Sequence, residues 1–220
     1  MSATLPSVDH LFYFGRFNVA HHGYISVMKL ALALLSPTYG ITIVPSPDTP
    51  TWGEYTLPFK HRVHMLQEAC KSELTASEQA KIHISDIELE LLKQGIDGNF
   101  SINTLHVLRE QIPPTQSLGI VMGADAATSF TRWKNWQEIL QIARLYIVPR
   151  AALQTPLQIE KNLSPTLTPY LQNHQVYILP ADPRFLSALS TQASSTAVLA
   201  GKHEYLPASV QHYTQQQQLL

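Results

Sequence analysis

The stretch from Leu11 to Met28 constrains the fold of this chain more than any other. An apolar run, Leu11-Phe12-Tyr13-Phe14, breaks at Gly15 and passes through Arg16-Phe17-Asn18-Val19-Ala20-His21-His22-Gly23-Tyr24 before restarting with apolar residues at helical spacing. A strand that stops at a glycine and continues as a helix is how a nucleotide-binding α/β unit begins. The glycine lets the backbone approach a phosphate, and the first helical turn offers amides at the positive end of the helix dipole. Ile25, Met28, Leu32 and Leu35 then share one helical face, and Ser36-Pro37 with Gly40 ends it.

The rest of the chain repeats that alternation. Ile41-Thr42-Ile43-Val44 before Pro45 is a short β-branched run of the kind buried in a parallel sheet, and Ser46 to Leu57 reads as a loop. Phe59 to Cys70 places Val63, Leu66 and Cys70 on one helical face, with Arg62 and His64 beside it. Lys81 to Leu91 alternates apolar and polar residues and predicts a third strand extended into a ribbon. Asn103 or Ser101 is expected to cap a helix that runs through Leu105, Leu108 and Ile112 and stops at Pro113-Pro114. Leu118 to Met122 reads as a strand running into Gly123-Ala124-Asp125, which places an acid where open α/β sheets keep their ligands. Trp136 to Ala143 is amphipathic, and Leu145 to Val148 and Val176 to Leu179 are the fifth and sixth strands. Ala151 to Thr168 carries no assignable pattern, while Ser194-Ser195-Thr196 is a hydroxyl-rich helix start. These features predict an α/β protein with a single Rossmann-like domain, its parallel sheet covered by helices on both faces, and a small helical C-terminal part from about residue 194.

Composition narrows the partners. With 220 residues, 14% of them charged, and a formal net charge of −1, the chain has neither the profile of long disorder nor a general basic footprint for nucleic acid. Small molecules or a like subunit are the expected partners. Cys70 is the only cysteine, so no internal disulfide forms, and a buried thiol is expected there. The N-terminus lacks the basic and apolar regions of a signal peptide, and the longest apolar run, Leu30 to Leu35, is far below membrane-spanning length. A soluble cytoplasmic protein with no membrane partner is expected. His61 and His64 have an i,i+3 spacing that can hold a metal, but with no further ligands in view a helix surface is the expected setting and no protein-held metal is assigned.

Gly15, Phe17, His21 and Gly23 fit in register the G-x-F-x-P-x-H-x-G-H signature of nucleotidyltransferases related to class I aminoacyl-tRNA synthetases. Val121 to Ala126 with Phe130 and Arg132-Trp133-Lys134-Asn135-Trp136 resembles the G-A-D and R-W-x-x-W pattern of the bacterial nicotinate-nucleotide adenylyltransferases. Phe100 to Leu105 is similar to that family's Y-T-x-D-T-L, His61 to Leu66 to its helix after the second strand, Ser194-Ser195-Thr196 to the start of its I-S-S-T-x-I-R, and Leu206 to Tyr213 to its terminal V-P-x-x-V-x-x-Y-I. The resemblance covers essentially the whole chain, 1–220, as one nucleotidyltransferase domain.

The resemblance implies attack of the 5′-phosphate of nicotinate mononucleotide on the α-phosphorus of ATP, giving the deamido dinucleotide and pyrophosphate, with Mg²⁺ on the leaving group. By position, it implies that His21 meets the ATP phosphates over a loop shaped by Gly15, Phe17 and Gly23. Asp125 would take the ribose hydroxyls, Gly123 would let the adenine lie against the backbone, and Ser195 and Thr196 would meet phosphate. Ser101 and Trp133 would hold the nicotinate ring and its carboxylate, and Trp136 would pack in the core. The departures fall on the chemistry: Tyr24 replaces the second histidine, Asn18 and Val19 replace aspartate and proline, and Arg16 replaces threonine. Thr49-Pro50-Thr51-Trp52-Gly53 stands where P-H-K is usual, and Leu199 where arginine is usual. A tyrosine donates a hydrogen bond but carries no charge at neutral pH. Arg16 is the candidate to restore the charge, with Lys202 a more distant one, so the expected catalytic set is His21, Arg16 and Tyr24. The alternatives are a catalytically degenerate nucleotide-binding or regulatory homologue, or an adenylyltransferase for another phosphate acceptor such as nicotinamide mononucleotide.

Overall fold

In a computed structural model, which describes residues 5–48, 56–96, 100–150, 155–187 and 192–220, six strands form one all-parallel sheet. They are β1 (His10–Gly15), β2 (Ile41–Pro45), β3 (Ile82–Ile84), β4 (Leu118–Gly123), β5 (Arg144–Val148) and β6 (Val176–Ile178), in the order β3-β2-β1-β4-β5-β6. The chain winds outward from β1 through β2 to β3, then returns to lay β4 on the other side of β1. That reversal opens a crevice at the C-terminal ends of β1 and β4. The expected Rossmann-like α/β sheet is therefore present, with Gly15 and Gly123 ending the two strands that flank the crevice.

Among the described residues, the connections carry α1 (His22–Leu35), α2 (Phe59–Glu73), α3 (Ala76–Gln79), α4 (Ile87–Lys93), α5 (Ser101–Gln111), α6 (Ala124–Ala127) and α7 (Trp136–Ile142). After β5 follow α8 (Pro156–Asn162), α9 (Thr168–Gln172), α10 (Ser195–Leu199) and α11 (Ala208–Gln216). Side chains alternate along β1, so Leu11 and Tyr13 join a core with Ile25 and Met28 of α1 and Met65 of α2. Phe12 and Phe14 join the opposite core with Ile102 and Leu105 of α5 and Ile139 and Leu140 of α7. Cys70 is buried as expected, and burial pushes its thiol up to about 11. No described helix is long and apolar enough to cross a membrane.

Four local expectations are corrected. The third strand ends at Ile84, and Ile87 to Lys93 is helical: the buried side chains there are Glu88 and Leu91, an i,i+3 pair, so the apparent alternation hid a helix whose inward face includes an acid. Neither Ser101 nor Asn103 caps α5, because its N-cap is Phe100 and Ser101 is the first helical residue. The unassigned connection folds as α8, the 3₁₀ turn Pro165–Leu167 and α9, with residues 151–154 outside the described set. The inward face of α2 is Arg62, Met65, Leu66, Ala69 and Cys70, with Val63 only half-buried. His61 and His64 lie half-buried on the surface of α2 against Tyr213 of α11, with His61 Nδ1 2.8 Å from the Tyr213 hydroxyl.

Arg62 is the largest of the fully buried side chains. Its Nε donates to the carbonyl of Leu57 (2.8 Å), Nη1 to that of Arg16 (2.5 Å), and Nη2 to that of Ser46 (2.7 Å) and to Asp48 Oδ1 (2.8 Å). One planar cation thus ties the loop after β1 to the loop after β2 and to the start of α2. Asp48 also accepts from the amide of Phe59, the first residue of α2 (2.9 Å), and Asn18 Oδ1 accepts from the amide of Leu57 (2.9 Å). The P-H-K position, residues 49–53, lies outside the described residues.

Replacing Arg62 with Ala leaves three inward carbonyls without their donor, and it is expected to lower the unfolding free energy by roughly 3–5 kcal/mol in urea titrations. Arg62→Lys recovers little of this, since one ammonium cannot span the same four acceptors. Burial raises the Glu88 carboxyl to about 8, opposed by hydrogen bonds from Ser46 and Thr104. Between the unfolded value of about 4.3 and 8, the native state holds a proton that the unfolded chain releases. Stability therefore falls as pH rises through that window. Glu88→Gln is expected to flatten this fall, with a higher thermal midpoint than wild type at pH 8.5 and little difference at pH 5.

Candidate active site

A cavity of about 550 Å³ lies over the crevice, walled by Gly15, Arg16 and Asn18 after β1 and by Met122, Gly123 and Asp125 at β4. Among the described residues, Arg16, Arg132, Lys134 and Arg150 line it against a single carboxylate, Asp125. That bias suits a polyanion.

One end is built on the start of α1. The N-cap His21 is extended (φ −119°, ψ 165°) and supplies no side-chain cap, and no acid stands in the first turn, so the positive end of a 14-residue helix is left to whatever binds there. The His21 imidazole is 2% exposed and stacks on Tyr24, with centroids 4.0 Å apart and planes 18° from parallel. Burial first, then the charges of Arg150 and His22, lowers its pKa to about 3. His21 is therefore neutral, with one N–H and one lone pair to offer and no charge. Its Nδ1 is buried and has no hydrogen-bond partner among the described residues. Burial also raises the Tyr24 phenol, and its hydroxyl pairs with that of Ser195 at 3.2 Å. Ser194 Oγ caps α10 by accepting from the Ala197 amide at 3.1 Å, which sets Ser195 and Thr196 on the cavity wall.

The other end is aromatic. Phe100 and Ser101 at the start of α5 face the cavity with Trp133, which follows the 3₁₀ turn Phe130–Arg132 and packs on Phe130 at 5.5 Å between centroids. Lys134 Nζ sits 4.3 Å from the centre of the Phe100 ring. Trp136 faces away, against Phe130 and Tyr170.

Gly15, Arg16, His21, Tyr24, Ser101, Gly123, Asp125, Trp133, Ser195 and Thr196 all line this one cavity. Phe17 and Gly23 do not. Phe17 is fully buried, edge-on to Tyr13 at 5.1 Å and 4.8 Å from Tyr24, so it supports the loop from beneath. Gly23 provides space: a Cβ there would lie 2.6 Å from Arg150 Nη1 and 2.9 Å from His21 Nδ1. Gly123 does the same for Asp125, whose Oδ1 would be 2.6 Å from an added Cβ. Leu199 stands at the cavity wall as an apolar residue, and Lys202 is exposed and does not line it. Sequence reasoning missed Arg150. Its Nε is 3.2 Å from Asp125 Oδ1 and its Nη2 donates to the Ala193 carbonyl at 2.7 Å. The available signal was position, since a residue just past β5 emerges at the same sheet edge as Gly123.

Residues 12–189 match the sequence pattern of the cytidylyltransferase-like family. The chain belongs to that family. Curated cytidylyltransferase-like relatives include the probable nicotinate-nucleotide adenylyltransferase of Xylella fastidiosa strain M23, 30% identical over 158 residues that cover 70% of this chain and 66% of the relative. That of Marinobacter nauticus is 28% identical over 152 residues, covering 69% and 65%. The matches thus span just under two thirds of these relatives' length. Two structures of Plasmodium falciparum nicotinic acid mononucleotide adenylyltransferase, complexed with NaAD and with APC, superpose on this cytidylyltransferase-like chain with TM-scores of 0.67 and 0.68. Each covers 96% of it at 15% identity, with 97% and 96% of their own chains matched, which is a likeness of fold.

Because His21 excludes its proton down to about pH 3 while an unfolded histidine takes one near 6.5, the native state binds fewer protons between these values and stability is lost as pH falls from 6.5 toward 3. In NMR titrations the His21 Cε1–H resonance is expected to stay at its neutral position at pH 5, below the ordinary histidine value of 6.5.

Proposed function

We propose that this cytidylyltransferase-like protein transfers the adenylyl group of ATP to nicotinate mononucleotide, yielding the deamido dinucleotide and pyrophosphate, as its relatives are named to do. The observation that carries the reading is the continuity of one cavity from the α1 N-terminus and Asp125 to Ser101 and Trp133. Its volume is in the range that encloses small-molecule ligands, with a cationic, hydrogen-bonding end for phosphates and an aromatic end for a flat ring.

The chemistry asks little of general bases. The attacking phosphate is already an anion, so rate comes from alignment and from balancing negative charge at the α-phosphorus and the departing pyrophosphate. Asp125 would accept from the ribose hydroxyls, the first-turn amides of α1 and one imidazole N–H of His21 would meet phosphate oxygens, and Ser195 and Thr196 would add hydroxyls. Arg16 would carry charge into the loop, and Tyr24 would orient the Ser195 hydroxyl it pairs with. Trp133 would stack on the pyridine, with Ser101 and Lys134 near its carboxylate. Mg²⁺ would travel with ATP as its counter-ion and supply further charge at the leaving pyrophosphate. Among the described residues Asp125 is the only carboxylate on the cavity wall, and it is engaged with Arg150.

The test is pyrophosphate release from MgATP with nicotinate or nicotinamide mononucleotide. Wild type is expected to turn over, with a preference for the nicotinate acceptor, and His21→Ala to lose roughly 100- to 1000-fold in kcat. ATP binding by wild type without turnover on either acceptor would overturn the enzyme reading in favour of a nucleotide-binding homologue. Turnover on nicotinamide mononucleotide alone would reassign the acceptor.

A further inference from the structure

We propose that Arg150 is a catalytic cation of this site beside Arg16: its guanidinium grips the α-phosphate of ATP, and Gly23 is glycine to admit it. The inference rests on the adenylyl-transfer reading and deepens it. In the transfer, an oxygen of the acceptor's 5′-phosphate forms a bond to the α-phosphorus, the α-phosphorus–oxygen bond to the β-phosphate breaks, and its electron pair leaves with pyrophosphate. No proton or electron is exchanged, so the demand on the protein is positive charge at the α-phosphate oxygens.

Around the α1 N-terminus, Arg16 brings charge from the loop after β1, and the other groups bring none. Tyr24, Ser195 and Thr196 offer hydroxyls, Leu199 is apolar, and His21 is buried among them without charge. Lys134 is held over Phe100 at the aromatic end. Arg150 is placed differently. Its Nε contacts the Asp125 carboxylate and its Nη2 the Ala193 carbonyl just before α10, while its Nη1 lies over Gly23 in the first turn of α1. Asp125 is the ribose anchor in the proposed pose and α1 the phosphate anchor, and the phosphate between a ribose and the rest of a triphosphate chain is the α-phosphate. The side chain is 19% exposed and fixed from two sides, so the charge is oriented before substrate arrives. Its field already reaches this end of the cavity, where it disfavours protonation of His21 and favours ionisation of Tyr24. At position 23 a methyl group would lie 2.6 Å from Nη1, so any side chain there displaces the guanidinium from the helix start.

The experiment compares wild type with Arg150→Ala, Arg150→Lys and Gly23→Ala in three readouts: pyrophosphate release, affinity for ATP and for adenosine, and thermal unfolding. Arg150→Ala is expected to lose about 100-fold or more in kcat, with part restored by guanidinium ion in the assay. Its ATP affinity should fall about tenfold or more while adenosine affinity stays within about twofold, since only ATP carries the contacted phosphate. Gly23→Ala should move ATP and kcat the same way, with a share from His21, whose Nδ1 would lie 2.9 Å from the new methyl group. Arg150→Lys, which keeps the charge, should fall between. Activity within tenfold of wild type in Arg150→Ala, or equal losses for ATP and adenosine, overturns the proposal; equal losses mean that Arg150 only holds Asp125 on the ribose. If Arg150→Ala does not fold, Arg150→Lys decides by the same comparison, because a Cβ at position 23 also crowds His21. If wild type binds ATP but turns over no acceptor, the adenylyl-transfer reading fails, and the ATP-against-adenosine comparison still decides whether Arg150 contacts phosphate.

Discussion

The architecture of the site depends on one buried guanidinium. Arg62 lies on α2, outside the cavity, yet its donors end on the carbonyls of Arg16 and Ser46, which belong to the cavity-lining loops after β1 and β2. A backbone carbonyl turned inward needs a donor, and an interior cation needs several acceptors. The two demands are met in one place. The consequence is local rigidity: the chain leaves Gly15, turns through Phe17 in a left-handed conformation (φ 50°) and reaches the α1 start with its carbonyl at residue 16 pinned from below. Lysine could match the charge but not the planar fork. Glu88 plays a smaller part of the same kind, accepting from Ser46 and Thr104 and so linking the loop after β2 to α4 and α5, whose start bears Ser101.

The fold was legible because a parallel sheet covered on both sides leaves contiguous apolar runs: Leu11 to Phe14, Leu145 to Val148 and Val176 to Leu179 are unbroken, and Leu118 to Met122 is interrupted only by Gly119. The errors share a cause. Ile87 to Leu91 read as alternating because Glu88 was counted as outward, and Arg62 was placed beside the core face of α2 because it is charged. Both are buried, made tolerable by partners that come from other segments: Thr104 and Ser46 for Glu88, and Leu57, Arg16, Ser46 and Asp48 for Arg62. Periodicity reports the average preference of a side chain for water and cannot see a partner that arrives from elsewhere in the chain. Ser101 illustrates the converse, since its residue type suggested a helix cap while the structure gives that place to Phe100 and turns Ser101 toward the cavity.

For the site itself, sequence motifs identified the residues that the crevice gathers, and missed what lies between them. Phe17 and Gly23 belong to the loop's motif without touching the cavity, one filling space and the other vacating it. Arg150 belongs to no motif that sequence reasoning used and sits in the middle. A motif records spacing along the chain, whereas Arg150 reaches the site through strand pairing, Gly123 with Val148, two residues before it.

The charge distribution follows from that geometry. A histidine that is buried and faces an arginine loses its proton because burial and the neighbouring positive charge both penalise the imidazolium. The same arginine is tolerated because Asp125 and a backbone carbonyl meet it. The site therefore separates two properties that a charged histidine would combine: directional hydrogen bonding remains with His21 and the hydroxyls, and positive charge sits on the guanidinium of Arg150. Gly23 and Gly123 make the separation possible, one clearing the approach of the guanidinium to the helix start and the other clearing the carboxylate that holds it. A Cβ at position 23 would crowd Arg150 directly, and one at position 123 would crowd Asp125, so either substitution disturbs the same ion pair from opposite sides. The two glycines, the acid and the arginine are in this sense one unit, assembled from the first turn of α1 and the C-terminal ends of β4 and β5.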